Sequence, residues 1–398
     1  MLACSLMRWC VLGWIGLVIG CGPAVPADTG PGSDPGGPNS DDGLPPLTSS
    51  GFDPLTSAND DAAGTLDPSR LDLSGSFTSG PSEDPCIVGW EVTPLPPVVV
   101  LVVDVSGSMV TTLDHDTEPK TPPTTRWFAL WDALSTALSD WDATHELGLR
   151  TFPSALATAP PDPFACDSDG TAIVPTADGA AMVLDALPPP HDMTLSGASP
   201  LRAAIHEARA MLLLRNRGPQ RFIVVITDGA PNCAPQSSPP ESFDEVDTEV
   251  KESIQRAGSD YIRTAVIAFD VPDAPHAGGW GEPIANPRAV LDDLAGAGGF
   301  GPSAMVASDV PSLRDRLSAL RAAMASQRLR IPDPSYIDYE LHIDGTIYYS
   351  APDCTGDHGF VVLDTIGPGN VMHLCDEAAA ALQRSGQATI LPYCVIAE

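Results

Sequence analysis

The chain has 398 residues, of which 43% are hydrophobic, so it can bury a sizeable core and form one large domain with smaller additions. It carries 52 Asp and Glu against 20 Lys and Arg, which gives a formal net charge of −32 at pH 7. A surface this acidic repels nucleic-acid phosphates and anionic membrane surfaces, so we expect no nucleic-acid partner, and it is compatible with cation binding.

The first residues, 1–20, are typical of a lipoprotein signal peptide. Arg8 is their only charge, and the apolar stretch Trp9 to Gly20 is too short to span a bilayer. The stretch ends in Val-Ile-Gly-Cys, which resembles a bacterial lipobox, so we expect a lipid on Cys21. An ordinary signal peptide cut elsewhere is the alternative. Gly22 does not indicate inner-membrane retention, so we expect export and lipid anchoring in the bacterial cell envelope, at the outer membrane.

The next segment, 21–85, is rich in Gly, Pro, Ser and Asp and shows no hydrophobic period. Such a composition cannot bury enough apolar surface to offset the entropy of ordering. We therefore predict a disordered acidic tether between the lipid and a folded head, which makes the lipid the protein's only contact with the membrane.

From Pro97 onwards the hydrophobic pattern alternates between strands and helices. The β-branched run 98–104 predicts a strand buried on both faces, and 126–140 predicts an amphipathic helix. Further strands are predicted at 146–152, 221–229, 261–269 and 303–308, and further helices at 178–187, 199–214, 244–258, 286–296 and 311–324. This alternation predicts an α/β domain over 86–330 with a doubly wound, mostly parallel sheet.

The last part of the chain, 331–398, has a different pattern. Two short apolar runs flank Asp344-Gly345, a typical hairpin turn, and a further strand, a helix at 376–386 and a final strand follow. Three of the chain's nine cysteines lie here. We predict a small cysteine-containing α+β module stapled by disulfides.

Oxygen-bearing side chains occur at three places along the α/β pattern. Asp104, Ser106 and Ser108 follow the first buried strand, Ser199 opens a predicted helix, and Asp228 ends another strand. Strand ends of a parallel sheet meet at its carboxyl edge. The three hydroxyls and two carboxylates form an all-oxygen set that suits Mg²⁺, Mn²⁺ or Ca²⁺ rather than zinc or copper. Taken singly, Ser199 is also a natural N-cap, Asp228 a turn residue, and the two serines loop filler.

Three motifs in order resemble the von Willebrand factor A (VWA) domain: Asp-Val-Ser-Gly-Ser-Met at 104–109, Gly-Ala-Ser-Pro-Leu at 197–201 and Thr-Asp-Gly at 227–229. The resemblance covers roughly 97–328 and implies a Rossmann-like VWA fold with a metal-ion-dependent adhesion site. The whole arrangement resembles the secreted VWA lipoproteins of bacteria such as myxobacteria.

The resemblance also assigns roles to the site residues. It implies that Ser106 and Ser108 are direct ligands beside Asp104, that Asp228 acts through water, and that Mg²⁺ is the first expectation for the ion. The family's threonine falls on Ser199, which keeps the hydroxyl but lacks the methyl group that fixes the rotamer.

Six cysteines remain once Cys4 and Cys10 leave with the signal and Cys21 takes the lipid. An even number in an exported protein predicts three disulfides, and six cysteines allow 15 pairings. None is spaced as Cys-x-x-Cys, which argues against a zinc site. Our preferred pair is Cys166–Cys233, which would brace two loops at the carboxyl edge, and we propose Cys375–Cys394 and Cys86–Cys354 for the others.

Three functions remain in competition. The leading hypothesis is a binding module whose metal captures a carboxylate from a protein partner. The second is a structural envelope lipoprotein in which the metal only stabilises the loops. The third, a metal-dependent hydrolase, is weaker, because hydroxyl-rich ligation is suited to accepting an anionic ligand rather than to activating water. The chain also lacks the enzyme motifs Gly-x-Ser-x-Gly, His-Glu-x-x-His, a Walker loop and a dinucleotide glycine motif. We therefore expect no enzymatic activity.

Overall fold

The structure, a computed structural model, describes residues 89–392 except 114–123, 143, 216–217, 235–240, 276–282, 333–337, 357 and 364–369. The predicted signal peptide, the lipidation site Cys21, the tether, Cys86 and Cys394 lie outside the described residues. None of the described helices is both long and apolar enough to cross a membrane.

The first two thirds of the described chain alternate strands and helices as the sequence predicts. The elements are β1 Trp90–Val92, β2 Val98–Asp104, α1 Arg126–Ala137, β3 Glu146–Phe152, β4 Ala172–Thr176, α2 Gly179–Ala186, α3 Leu201–Leu213, β5 Arg221–Thr227, α4 Glu241–Asp244, α5 Glu249–Ser259, β6 Ile262–Phe269, α6 Pro287–Gly298, β7 Met305–Ala307 and α7 Val310–Ala323.

Six of these strands form a central sheet in the order β4-β3-β2-β5-β6-β7. All neighbours are parallel except β4, which runs antiparallel to β3 at one edge. The sequence reading missed β4, because its residues are mostly exposed or half-buried and include Pro175. Proline is tolerated in an edge strand, where its missing N–H faces no partner.

Alternate residues of β2 belong to different hydrophobic clusters. Val99, Leu101 and Val103 pack with residues of α1 and α7, whereas Val98, Val100 and Val102 pack with residues of α3, α5 and α6. Side chains alternate across a strand, so both sides of β2 are covered by helices. This explains why the sequence of β2 is apolar from Val98 to Val103.

The remaining elements form two small antiparallel sheets and a helix. They are β8 Arg328–Arg330, β9 Tyr339–Ile343, β10 Thr346–Tyr349, β11 Phe360–Leu363, β12 Val371–Leu374, α8 Asp376–Ser385 and β13 Ala388–Pro392. The strand orders are β1-β13-β9-β10 and β11-β12-β8, and both sheets share one apolar cluster with α8.

The C-terminal module therefore includes strands that precede its predicted boundary at residue 331. Strand β1 pairs with β13, and β8 pairs with β12, although both β1 and β8 lie in the range 86–330 assigned to the α/β domain. Each has only three residues, too few to show a period, and the pairing of β1 with a strand almost 300 positions later leaves no local signal. The chain enters and leaves the α/β domain through the module.

Two disulfides are present among the described residues. Cys166 is joined to Cys233, the pair that the sequence analysis preferred, and Cys354 is joined to Cys375. The predicted pairs Cys375–Cys394 and Cys86–Cys354 are therefore wrong. Cys375 directly precedes α8, and its backbone N–H donates to the carbonyl of Gly359. This bond brings Cys375 beside the loop that carries Cys354.

Candidate functional site

The ends of two neighbouring strands bring the predicted site residues to one edge of the sheet. β2 ends at Asp104, and β5, its direct parallel neighbour, ends at Thr227, so Asp228 follows at the same level. Asp104 is fully buried and Asp228 is 5% exposed. Two carboxylates are thus held in the interior at the carboxyl edge.

The first loop turns tightly after β2. The backbone N–H of Ser106 donates to Asp104 Oδ1 at 2.8 Å, and a short 3-10 helix begins at Gly107. The hydroxyls of Ser106 and Ser108 lie 3.0 Å apart. The side chains of this loop therefore point into one small volume, as their alternation in the sequence predicts.

Hydrogen bonds link this loop to the other two. Ser108 Oγ donates to Asp228 Oδ1 at 2.8 Å, and Ser199 Oγ lies 3.5 Å from Asp104 Oδ2. Ser199 is not the N-cap of α3, since that position is occupied by Pro200 and the helix begins at Leu201. The structure thus places all five predicted residues in one cluster and excludes the reading of Ser199 as only a helix cap.

Three residues that the sequence reading missed complete the cluster. Thr227 Oγ1 donates to Asp104 Oδ2 at 2.6 Å. Arg126, at the start of α1, donates to Asp228 Oδ2 at 3.2 Å and to Asp270 Oδ2 at 2.8 Å. Thr227 adjoins a predicted site residue and Asp270 directly follows a predicted strand, so both carried a signal, whereas Arg126 is an ordinary residue of an amphipathic helix.

The loop that carries Ser199 is fixed from several sides. The backbone N–H of Ser199 donates to Asn232 Oδ1 at 2.7 Å, and Asn232 directly precedes Cys233, one of the two disulfide cysteines. Gly197 has φ +103°, and a Cβ there would lie 2.6 Å from Pro153 Cγ, so only glycine fits. Such bracing holds the backbone of Ser199 in place beside the cluster.

Burial and mutual repulsion perturb the carboxylates. Burial raises the pKa of Asp104 to about 7, the charge of Asp228 adds to the rise, and hydrogen bonds from Ser106 and Thr227 oppose it. Among the described residues, the carboxylates of residues 104, 228 and 270 lie in the cluster with one cation, Arg126, which bonds to Asp228 and Asp270. The cluster therefore has an excess of negative charge that a cation would neutralise.

The donor set fits a hard divalent cation. No group of three or more His, Cys, Asp or Glu side chains suited to a metal is found in the part of the chain that the structure describes. This cluster differs from such a group because it combines two carboxylates with three serine hydroxyls. Mg²⁺ and Ca²⁺ accept oxygen ligands of this kind and retain waters in the remaining positions. A cation here would have Asp104, Ser106, Ser108, Ser199 and Asp228 around it.

The cluster faces a cleft of about 500 Å³. The two serines of the first loop, Ser199, Asp228 and Arg126 line it, and Asp104 lies beneath them without exposure. The cleft walls also contain Ala159 and four prolines, at positions 160, 272, 283 and 287. The site is thus polar at its floor and largely apolar at its walls.

Comparisons with known proteins identify no family. No protein-family model matches the chain, and no curated protein matches it. Among solved structures it is similar to the pilus adhesin SpaC of Lactobacillus rhamnosus GG, at 13% identity and a TM-score of 0.43, over 76% of this chain and 40% of the adhesin. The chain therefore spans less than half of the adhesin's length.

Two further structures show the same level of likeness. The conserved hypothetical protein BatB from Bacteroides thetaiotaomicron is 18% identical with a TM-score of 0.37, over 57% of this chain and 98% of BatB. The minor pilin PilB from Streptococcus sanguinis is 16% identical with a TM-score of 0.38, over 57% of this chain and 61% of the pilin. With TM-scores below 0.5, none of these likenesses carries an argument about function.

Proposed function

We propose that this protein is a lipid-anchored bacterial envelope protein whose α/β domain has the VWA fold and binds a divalent cation, Mg²⁺ first, to capture a carboxylate of a protein partner. One observation carries the proposal: five side chains from three separate loops, all named from the sequence, meet in one hydrogen-bonded cluster beneath a cleft. Chance placement of loop serines and turn aspartates does not produce that convergence.

The open side of the cluster favours binding over a purely structural ion. Ser106, Ser108 and Ser199 line the cleft, so a cation among them would be reachable by an external ligand. A carboxylate completes the coordination of a hard cation that keeps exchangeable waters. Hydroxyl-rich ligation also leaves more positive charge on the ion than carboxylate ligation does, which favours an anionic ligand.

A structural role for the metal is the second candidate, and one observation favours it. The buried carboxylates of Asp104 and Asp228 lie close together and the charge of Asp228 helps to raise the pKa of Asp104, so a cation would also relieve repulsion within the fold. The two functions separate in experiment, because a stabilising ion needs no partner.

The test is a titration of the full-length protein with Mn²⁺, followed by electron paramagnetic resonance, with Mg²⁺ as competitor. We expect one Mn²⁺ per chain, displaced by Mg²⁺, and at least tenfold weaker binding in Ser106→Ala. The control is Asp142→Asn, since Asp142 accepts a hydrogen bond from the Ala180 N–H away from the cluster. Unchanged binding in Ser106→Ala would place the ion elsewhere and reject the proposal.

Localisation needs a separate test, because the signal and Cys21 lie outside the described residues. We propose that Cys21 carries lipid and that the protein is held at the outer membrane. Metabolic labelling with a tritiated fatty acid should mark the wild-type protein and not Cys21→Ser. Equal labelling of the two would reject lipidation at this residue.

A further inference from the structure

Large apolar side chains are exposed on the loops that surround the cleft. Leu156 is 83% exposed, Phe164 67% and Ile284 66%. Exposed apolar side chains that occur singly need no explanation, but several around one concave site mark an interaction surface. These three residues are called the apolar rim below.

Each rim residue belongs to a loop that the structure ties to the cleft. Leu156 lies in the segment whose Pro153 and Ala157 pack against Gly197, a residue of the cleft wall. Ile284 directly follows Pro283, which lines the cleft. The rim residues therefore stand beside the opening rather than at scattered places on the surface.

The third rim residue is held to the cleft by two bonds. Phe164 precedes Ala165, whose carbonyl accepts the N–H of Ala198 at 2.9 Å. The disulfide from Cys166 to Cys233 fastens the same turn to the loop after β5. Because this turn cannot move freely, Phe164 is presented to a partner at little cost in ordering.

Charge decides what kind of partner this surface fits. Arg126 and the proposed cation attract a carboxylate at short range, yet the chain carries a net charge of −32, and Asp162 is exposed on the loop of Phe164. An acidic partner therefore gains nothing from long-range electrostatic steering. At the rim itself, where the exposed side chains of Leu156, Phe164 and Ile284 carry no charge, affinity beyond the metal–carboxylate bond comes from apolar contacts.

Resting on the proposed function, we propose that the apolar rim of Leu156, Phe164 and Ile284 is a docking surface that selects a protein segment in which an acidic residue is flanked by apolar side chains. The acidic side chain enters the cleft and the flanking side chains cover the rim. The rim thus determines which carboxylates are recognised, since the metal alone does not distinguish among them.

The experiment titrates three capped tripeptides into the full-length protein in saturating Mg²⁺, with binding followed by nuclear magnetic resonance. The probes are Leu-Asp-Leu, Gly-Asp-Gly and Leu-Asn-Leu. We expect Leu-Asp-Leu to bind at least tenfold more tightly than either of the others. Replacing the rim residues by glutamine, as Leu156→Gln, Phe164→Gln and Ile284→Gln together, should reduce its affinity to that of Gly-Asp-Gly.

Leu214→Gln is the matched control. Leu214 is 85% exposed and follows the last residue of α3, whose first residue lies two positions after Ser199. At 1.5 Å per residue the helix carries it about 20 Å from the cleft. This variant should bind Leu-Asp-Leu as the wild type does.

The outcomes separate the two proposals. Equal affinity for Leu-Asp-Leu and Gly-Asp-Gly overturns the rim inference and leaves the metal-dependent function standing. Equal affinity for Leu-Asp-Leu and Leu-Asn-Leu, insensitive to chelation, overturns the proposed function. Loss of binding in Leu214→Gln as large as in the rim variant also overturns the inference, and so does the absence of binding by all three peptides.

Discussion

The two ends of the central sheet carry charged side chains of opposite sign: acids cluster at the carboxyl ends of the strands, and an arginine lies at the amino ends. At the carboxyl ends of the strands, Arg126 bonds to Asp228 and Asp270, and the pKa of the neighbouring Asp104 is raised to about 7. At the amino ends, Arg221 donates to the backbone carbonyls of Leu212 and Asp260 at the carboxyl termini of α3 and α5.

The difference follows from the direction of the helices. In an α/β domain the carboxyl termini of the helices, with their unpaired carbonyls and partial negative charge, lie near the amino ends of the strands. Arginines placed there satisfy the backbone and stabilise the fold. Acids gathered at the opposite end repel one another, so that end is less stable than it would be with neutral residues, as expected of a site that binds a cation.

The largest expected effect is at the carboxyl end. Arg126→Leu removes the guanidinium that bonds to the buried carboxylates of Asp228 and Asp270, and we expect the free energy of unfolding to fall by about 3–5 kcal/mol. Urea denaturation in chelator measures it. Arg314→Leu is the control, because Arg314 pairs with Asp132 where both side chains are 39% exposed, and a loss below about 1 kcal/mol is expected. A similarly small loss for Arg126→Leu would contradict the contrast between the two ends.

The second prediction concerns pH in the absence of metal. The pKa of Asp104 is raised from 3.8 to about 7, so its stabilising contribution is fully present below about pH 3.8 and is lost progressively as pH rises through 7. Burial, aided by the charge of Arg321, lowers the pKa of His145 to about 4, so its contribution is present above about 6.5 and is lost as pH falls towards 4.

Thermal melts between pH 4 and 8 in chelator separate these two groups. Because the two groups titrate over the same range and act in opposite directions, Asp104→Asn should make stability rise more steeply with pH between about 4 and 7 than in the wild type, and His145→Gln should make it fall. Each pKa unit corresponds to about 1.4 kcal/mol, so the effect at Asp104 amounts to a few kcal/mol. An unchanged pH dependence in Asp104→Asn would show that this carboxylate is not the strained group.

A smaller effect is expected at the amino end. Arg221→Met removes hydrogen bonds to two backbone carbonyls, which are neutral acceptors, so we expect a loss of about 1–2 kcal/mol in the free energy of unfolding. The same urea experiment measures it. A loss equal to that of Arg126→Leu would contradict the expected difference between buried ion pairs at the carboxyl end and hydrogen bonds to neutral carbonyls at the amino end.

The smallest effect is a gain. Ser199→Thr adds the methyl group that restricts the hydroxyl's rotamer, and we expect Mn²⁺ to bind a few-fold more tightly, worth under about 1 kcal/mol. Ser259→Thr serves as the control, since its hydroxyl bonds within α5. Weaker binding in Ser199→Thr would indicate that the pocket is shaped around serine.

The parts of the fold that sequence predicts are those with strong local signals. β2 and β5 are seven-residue apolar runs, and the structure has them as strands at the predicted places. By contrast, β1 and β8 have three residues each and are stabilised by pairing with strands that lie far along the chain. Long-range pairing of this kind is invisible in a single sequence.

The candidate site shows the same division. Its five predicted residues lie at strand ends or a helix start, where topology alone brings them together. Arg126 was missed because a charged residue opening an amphipathic helix is ordinary, and only the tertiary structure shows it between two buried acids. The pairing of Cys354 with Cys375 was missed because cysteine spacing does not determine connectivity.

The most direct test of the central claim is a thermal melt of the full-length protein after chelation, with Mg²⁺ titrated back, in the wild type and in Asp104→Asn. Without metal, the variant should melt at or above the wild type, because one of two repelling carboxylates is neutral. Added Mg²⁺ should raise the wild-type midpoint saturably and leave the variant unchanged, since only the native state with both carboxylates binds the ion. A wild type that does not respond to Mg²⁺, Mn²⁺ or Ca²⁺, or a variant that responds equally, would contradict the account.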